Sequence, residues 1–244
     1  MIADGLIRRV THHFDTSQFD PEALSAWIGW LEGNHPDDLE LMYPEDGPPN
    51  LTPAGLALFE QRVPEFAAVS TAIRFIAARN VWDDETVRSL VADEAVITDD
   101  RYTFEGVDDV HLATAEFERI AEWRFRRPRC TATVTARRSA DVTCTYLMEN
   151  ALSEAVDQES YRGSTFRFTV ADGQIQEVTH DFDDSQYSYQ VFESFFGWLE
   201  RAHPGDRDVM FVTVDGDVVG RLTPEAVALW DQRLPEYISL LSGS

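Results

Sequence analysis

At 244 residues, 43% of them hydrophobic and six of them tryptophan, the chain can bury one sizeable core or two modest ones, which excludes a disordered protein. Its net charge of −24 sets 44 acidic residues against 20 basic ones and leaves no basic face, which excludes nucleic acid and anionic membrane as partners. Every basic residue is arginine, so lysine Schiff-base and lysine general-base chemistry are excluded as well.

The chain opens on a unit that returns downstream. Residues 3–19 and 171–187 share 11 of 17 positions, and GWLE, His-Pro, LTP and Gln-Arg…Pro-Glu recur behind them at offsets of 168 and then 171. Each copy is expected to fold as one supersecondary unit that buries an apolar face against a neighbour. In each, a strand (5–14, 173–182) follows an Ala-Asp-Gly turn, and a helix follows the strand, capped in the first copy by Asp20 with Pro21 at its first turn. A short strand is predicted next at 39–43 and at 208–214. Thr52 or Thr223 then caps a second helix, which Pro64 is expected to interrupt before a new helix runs from about Glu65 to Asn80. Trp27, Trp30, Phe195, Phe196, Trp198 and Trp230 read as core of these units.

The middle of the chain has another rhythm. A helix is predicted at 84–92 with Asp83 or Asp84 as N-cap, short strands at 94–98 and 101–104, and a helix at 107–123. Strands at 129–138, 141–150 and 160–170 alternate well, with Cys130, Ala132, Val134 and Ala136 on one face of the first. Val142, Cys144, Tyr146 and Met148 share a face of the second, and Phe166, Phe168 and Val170 one of the third. With the strand at 173–182 they make a four-stranded antiparallel meander. The fold class is therefore α+β, a curved sheet backed by helices. A turn at Ser139-Ala140 would leave Cys130 and Cys144 out of register, so both are expected as reduced thiols. With no apolar leader in residues 1–20 and no run near the roughly 18 apolar residues of a membrane helix, a cytoplasmic protein is expected.

IRFIAARNVWDDETVRSLVADEAVITDD at the start of this region and ADGQIQEVTHDFD at its end resemble the SnoaL-like branch of the nuclear transport factor 2-like superfamily. The segment VRSLVADEAVITDD, Val87 to Asp100, is similar to that family's second helix and following strand. The resemblance implies a cone at 67–183, flanked by copies of a strand-helix-strand-helix tail at 1–66 and 184–244. The first copy then looks like the last strand and tail of a cone that is missing. It further implies a mostly apolar pocket for a hydrophobic small molecule, a homodimer, and chemistry without a cofactor. Polyketide cyclases, isomerases, dehydratases, epoxide hydrolases and non-enzymes all belong to this superfamily, so whether the chain is an enzyme stays open.

Val178, His180 and Phe182 share one strand face, taken as the inner one, which would make His180 a general base. SnoaL-like cyclases carry an acid/base residue on a late strand, often Asp, which points instead to Asp181. His12 holds the equivalent place in the first copy, and that favours a structural histidine. Tyr146 and Glu149 are candidate polar partners, Glu149 being the alternative of a solvated strand end. Trp82, Tyr102, Phe104, Phe166 and Phe168 are candidate pocket-lining residues. Arg124, Arg126, Arg127 and Arg129 could hold a carboxylate or phosphate, with local ion pairing as the plainer reading. His111 reads as a surface residue. His12, His13 and Asp15 imitate a metal motif only superficially, and no metal site is expected. A non-catalytic binding or interaction module is the alternative function.

Overall fold

A computed structural model describes the chain except residues 1, 4, 5, 8–20, 45–48, 50, 51, 100, 101, 108, 156–159, 161, 183–187, 215, 216, 243 and 244. The side chains of 2, 3, 6, 7, 21, 99, 102, 104, 109–114, 188–193, 214, 217, 219 and 242 lie outside the description as well. Two compact units result, residues 1–60 and residues 61–244.

In the first unit a two-residue hairpin, β1 (Ile2–Ala3) with β2 (Leu6–Ile7), precedes α1 (Pro21–Asn34), α2 (Pro36–Met42) and the beginning of α3 (Pro53–Asn80). Most of the strand expected at 5–14 lies outside the described residues, as do Asp15 and the His12-His13 pair. Trp27, Leu31 and Met42 are buried, and Trp27 Nε1 donates to Tyr43 Oη at 3.2 Å. The short strand predicted at 39–43 is helical. Pro36 follows His35 at the first helical position, and Asp37 and Asp38 fill the positive first turn, so a helix starts where apolar alternation suggested a strand. Pro64 does not end α3 either. It forfeits one main-chain bond, while the Arg62–Glu65 pair at 2.7 Å and the buried row Ala68, Val69, Ala72, Phe75 and Ile76 hold the helix on both sides of it.

The second unit is built on a six-stranded sheet. After α4 (Asp84–Leu90) come β3 (Val91–Asp99), β4 (Tyr102–Glu105), α5 (Asp109–Ile120), β5 (Arg124–Ala136), β6 (Ser139–Glu149), α6 (Ala151–Ala155), β7 (Thr165–Ala171) and β8 (Gln174–Asp181). Asp83 caps α4: Thr86 N–H and O–H donate to its carboxylate at 3.0 and 2.6 Å and hold it below the usual carboxylate range. The strand order is β4-β3-β8-β7-β6-β5. The expected meander β5 to β8 is present, but β3 runs parallel to β8, so the sheet is mixed. Register shifts in three of its pairings bend the strands. On the face that α3 covers, Phe75 meets Phe168 and Phe166 edge-on, with ring centroids 5.5 and 6.4 Å apart. Arg79 of α3 and Glu118 of α5 form a buried two-bond ion pair, at 3.1 and 2.5 Å. Removing either partner would strand a buried charge.

After β8 come α7 (Ser188–Ala202), α8 (Pro204–Met210), the hairpin β9 (Phe211–Val214) with β10 (Asp217–Gly220), and α9 (Pro224–Ser242). The strand predicted at 208–214 therefore begins only at Phe211, after a helix opened by Pro204. Phe195, Leu199, Met210, Trp230 and Leu234 form a core with Ala121 and Leu152, so this tail packs on the ends of α5 and α6 rather than on the sheet. Positions matched between the two copies share local geometry. His35 and His203 precede their helices at φ/ψ of −143/57 and −141/61, and stand 5.0 and 5.2 Å from the Trp30 and Trp198 rings. Tyr43–Phe59 and Phe211–Trp230 are both edge-on ring pairs. Thr52 and Thr223 each accept from a main-chain N–H three residues on, as the expected caps should.

The cysteines correct the sequence reading. The β5–β6 turn falls at Arg137-Arg138, two residues earlier than expected, which pairs Cys130 with Cys144 across the strands, and the two form a disulfide. The cytoplasmic expectation thereby loses the support that reduced thiols gave it. The bridge closes a loop with a sequence separation of 14. The unfolded protein is expected to show no free thiol to Ellman's reagent before reduction, and reduction is expected to lower stability by about 3 kcal/mol in a denaturant titration. Two reactive thiols in the unreduced protein would contradict this.

Candidate functional site

The site forms where β6, β7 and β8 run side by side. On β6 the buried residues Val142, Cys144, Tyr146 and Met148 alternate as predicted, and Ala140, expected in the turn, joins them. On β7 they are Phe166, Phe168 and Val170. Strand β8 buries Ile175, Val178 and His180, a spacing that breaks strict alternation. The break has a local cause. Ile175 pairs with Val170 and Glu177 with Thr169, so Gln176 is an extra residue that opposes nothing on β7. This bulge shifts the inward set by one, placing Val178 and His180 inside with Ile175.

His180 is 3% and Tyr146 4% exposed. Tyr146 Oη and His180 Nε2 share a hydrogen bond that crosses over β7. Phe166, opposite His180 in the register, lies beneath that bond. Its ring stacks on the imidazole with centroids 4.2 Å apart and tilts against the Tyr146 ring at 5.2 Å. Phe125 closes the other side, edge-on to Tyr146 at 5.1 Å and to His180 at 5.8 Å, and Phe182 stands 6.3 Å from the imidazole. A phenol and an imidazole in contact within an aromatic enclosure can pass a proton between them and hold one near a ligand oxygen.

Of the sequence candidates, His180, Tyr146, Phe166 and Phe168 come together on this face. Asp181 does not join them. It lies on the opposite face, 47% exposed in its side chain, with Arg167 Nη2 at 2.7 Å and the Thr165 hydroxyl donating at 3.4 Å. Glu149 ends β6 half-buried and accepts from Arg126 Nε at 3.1 Å, the solvated strand end of the plainer reading. Trp82 is half-buried beside Arg124. Tyr102 and Phe104 pair with Asp99 and Ile97 through β4, but their side chains, like that of His111, lie outside the described residues. Arg124 and Arg126 make local ion pairs, while Arg127 and Arg129 are exposed. Among the described residues no His, Cys, Asp and Glu cluster suits a metal ion.

The sequence reading missed Phe125 and Asn80. It began the first long strand at 129, leaving Phe125 outside the sheet, although Phe125 between Arg124 and Arg126 is an apolar-polar alternation of the kind edge strands show. Phe125 N–H donates to Asn80 Oδ1 at 2.6 Å and Asn80 Nδ2 donates to Phe125 O at 2.9 Å, so the end of α3 fixes the start of β5.

No family profile and no curated protein matches this chain. Solved structures do. A candidate polyketide cyclase from Xanthomonas campestris pv. campestris is 15% identical over 52% of this chain and 98% of its own, with a TM-score of 0.42. One from Sinorhizobium meliloti is 16% identical over 46% and 94%, TM-score 0.37. A candidate ketosteroid isomerase from Shewanella frigidimarina is 15% identical over 47% and 94%, TM-score 0.39. Each of these matches covers about half of this chain. At these identities the similarity is one of fold and brings no chemistry with it.

Replacing Tyr146 with Phe removes one hydroxyl from a buried hydrogen bond and keeps the ring. The variant is expected to fold and to lose about 1–2 kcal/mol in urea denaturation, because the imidazole gives up a partner inside an apolar enclosure. An unchanged midpoint would mean that the bond contributes nothing to stability.

Proposed function

We propose that the inner face of the sheet binds a hydrophobic small molecule and that Tyr146 and His180 move a proton on it without a cofactor. The observation that carries this reading is the hydrogen bond between the two, buried among Phe125, Phe166 and Phe182. His180 serves as the proton store, and the Tyr146 hydroxyl is the group that meets a carbonyl or epoxide oxygen. Such a relay suits cyclisation, isomerisation, dehydration or epoxide opening, steps that need a proton placed and removed but no electron transfer. Asp181 takes no part, since its carboxylate belongs to the outer face. A homodimer through that outer face completes the proposal.

The reading is tested by deuterium exchange at the carbon beside the carbonyl of 1-tetralone in D2O. The intact protein is expected to accelerate exchange, and His180→Gln and Tyr146→Phe to lose about a hundredfold of that acceleration. Exchange no faster than in buffer would remove proton transfer from the account. The second reading, a non-catalytic binding or interaction module, is favoured by one observation: Phe75, Phe125, Phe166 and Phe168 are each at most 2% exposed and pack against one another. It gains if 1-tetralone neither exchanges nor shifts the resonances of those rings.

A further inference from the structure

A second polar site stands at the first residue of β5. The Arg124 guanidinium carbon lies 5.0 Å from the centre of the Trp82 ring, a cation-over-ring contact. Arg124 Nη1 and Trp82 Nε1 are both shielded from solvent, and among the described residues neither has a hydrogen-bond partner. The remaining Arg124 contact is weak: Nη2 reaches Glu122 Oε2 at 3.3 Å, and that carboxylate is 56% exposed. Buried donors are almost always paired, a guanidinium above all, so two unpaired ones on touching side chains call for explanation.

The surrounding backbone holds them there at a cost. Trp82 and Glu122 have φ of 54° and 53°, in the left-handed region that bulky side chains rarely occupy. The two hydrogen bonds between Asn80 and the Phe125 main chain tie the two segments together, with Trp82 two residues beyond one end of the clasp and Arg124 one residue before the other. Strain sustained by such a clasp is typical of ligand-holding positions.

We infer that Arg124 and Trp82 form a recognition site for the carboxylate of an aromatic small molecule. A carboxylate supplies acceptors for a guanidinium N–H and an indole N–H together, and its charge matches the arginine. An aromatic body suits the Trp82 ring beside the guanidinium. Phosphate suits the site less, since Arg124 is the one cation in the contact among the described residues and Glu122 would face a doubly charged ligand. The assignment does not depend on proton transfer at Tyr146 and His180.

The test uses the intact protein in calorimetric titrations with 2-naphthoate and with 2-naphthamide, which has nearly the same shape and no charge. The carboxylate is expected to bind about tenfold more tightly than the amide. Arg124→Gln is expected to erase that preference, Arg124→Lys to keep part of it, and Trp82→Phe, which keeps a ring and loses the N–H, to weaken naphthoate roughly three- to fivefold. Thermal unfolding of each variant reports whether it folds, and the lysine and phenylalanine variants carry the test if the glutamine variant does not. Equal affinity for the two probes, naphthoate binding unaffected by Arg124→Gln, or no naphthoate binding up to millimolar concentration would each overturn the assignment. The naphthoate-to-naphthamide ratio reads this site, whereas deuteration of 1-tetralone reads Tyr146 and His180, so either can fail alone.

Discussion

One extra residue in β8 decides what the inner face of this sheet carries. Without a bulge at Gln176, strict alternation from Ile175 would turn Glu177 and Thr179 inward and His180 out to solvent. With it, His180 lies beside Phe166 and within reach of Tyr146 from two strands away. The same bulge fixes where Asp181 goes, and the Arg167 pairing on the outer face is the consequence. A bulge that re-aims one side chain is a known device of sheets near functional sites, and the aromatic enclosure then sets the dielectric in which the Tyr146–His180 bond operates.

The scaffold around the sheet keeps that geometry by pairing what it buries. Asn80 pins the start of β5, the Arg79–Glu118 pair joins α3 to α5, and the disulfide ties β5, an edge strand, to β6. An edge strand secured in this way is less free to pair with another chain. The tail helices α7 to α9 cover the ends of α5 and α6 with an aromatic core that holds Phe195 and Trp230.

Much of the fold was legible because periodicity is a local property. The strands β6 and β7 were found with their inward faces, and so was the meander order; the α4 cap was narrowed to Asp83 or Asp84 and falls on Asp83. Two kinds of feature were not legible. Helices α2 and α8 were hidden because apolar spacing over five residues fits either a strand or a helix, and the deciding signal was His-Pro followed by Asp. The disulfide was hidden because a two-residue error in a hairpin turn changes every cross-strand pair. At the site, His180 and Tyr146 could be nominated but not joined, since their contact spans two strands. Asn80 and Phe125 carried no signature beyond one short alternation.

The most direct measurement of the central claim is ¹⁵N-resolved NMR of the His180 imidazole in the intact protein and in Tyr146→Phe. A ring N–H resonance protected from solvent exchange is expected, with the His180 Nε2 shift changing strongly when the tyrosine hydroxyl is removed. An imidazole whose protons exchange freely and whose shifts ignore the substitution would place His180 outside the aromatic enclosure and contradict the account.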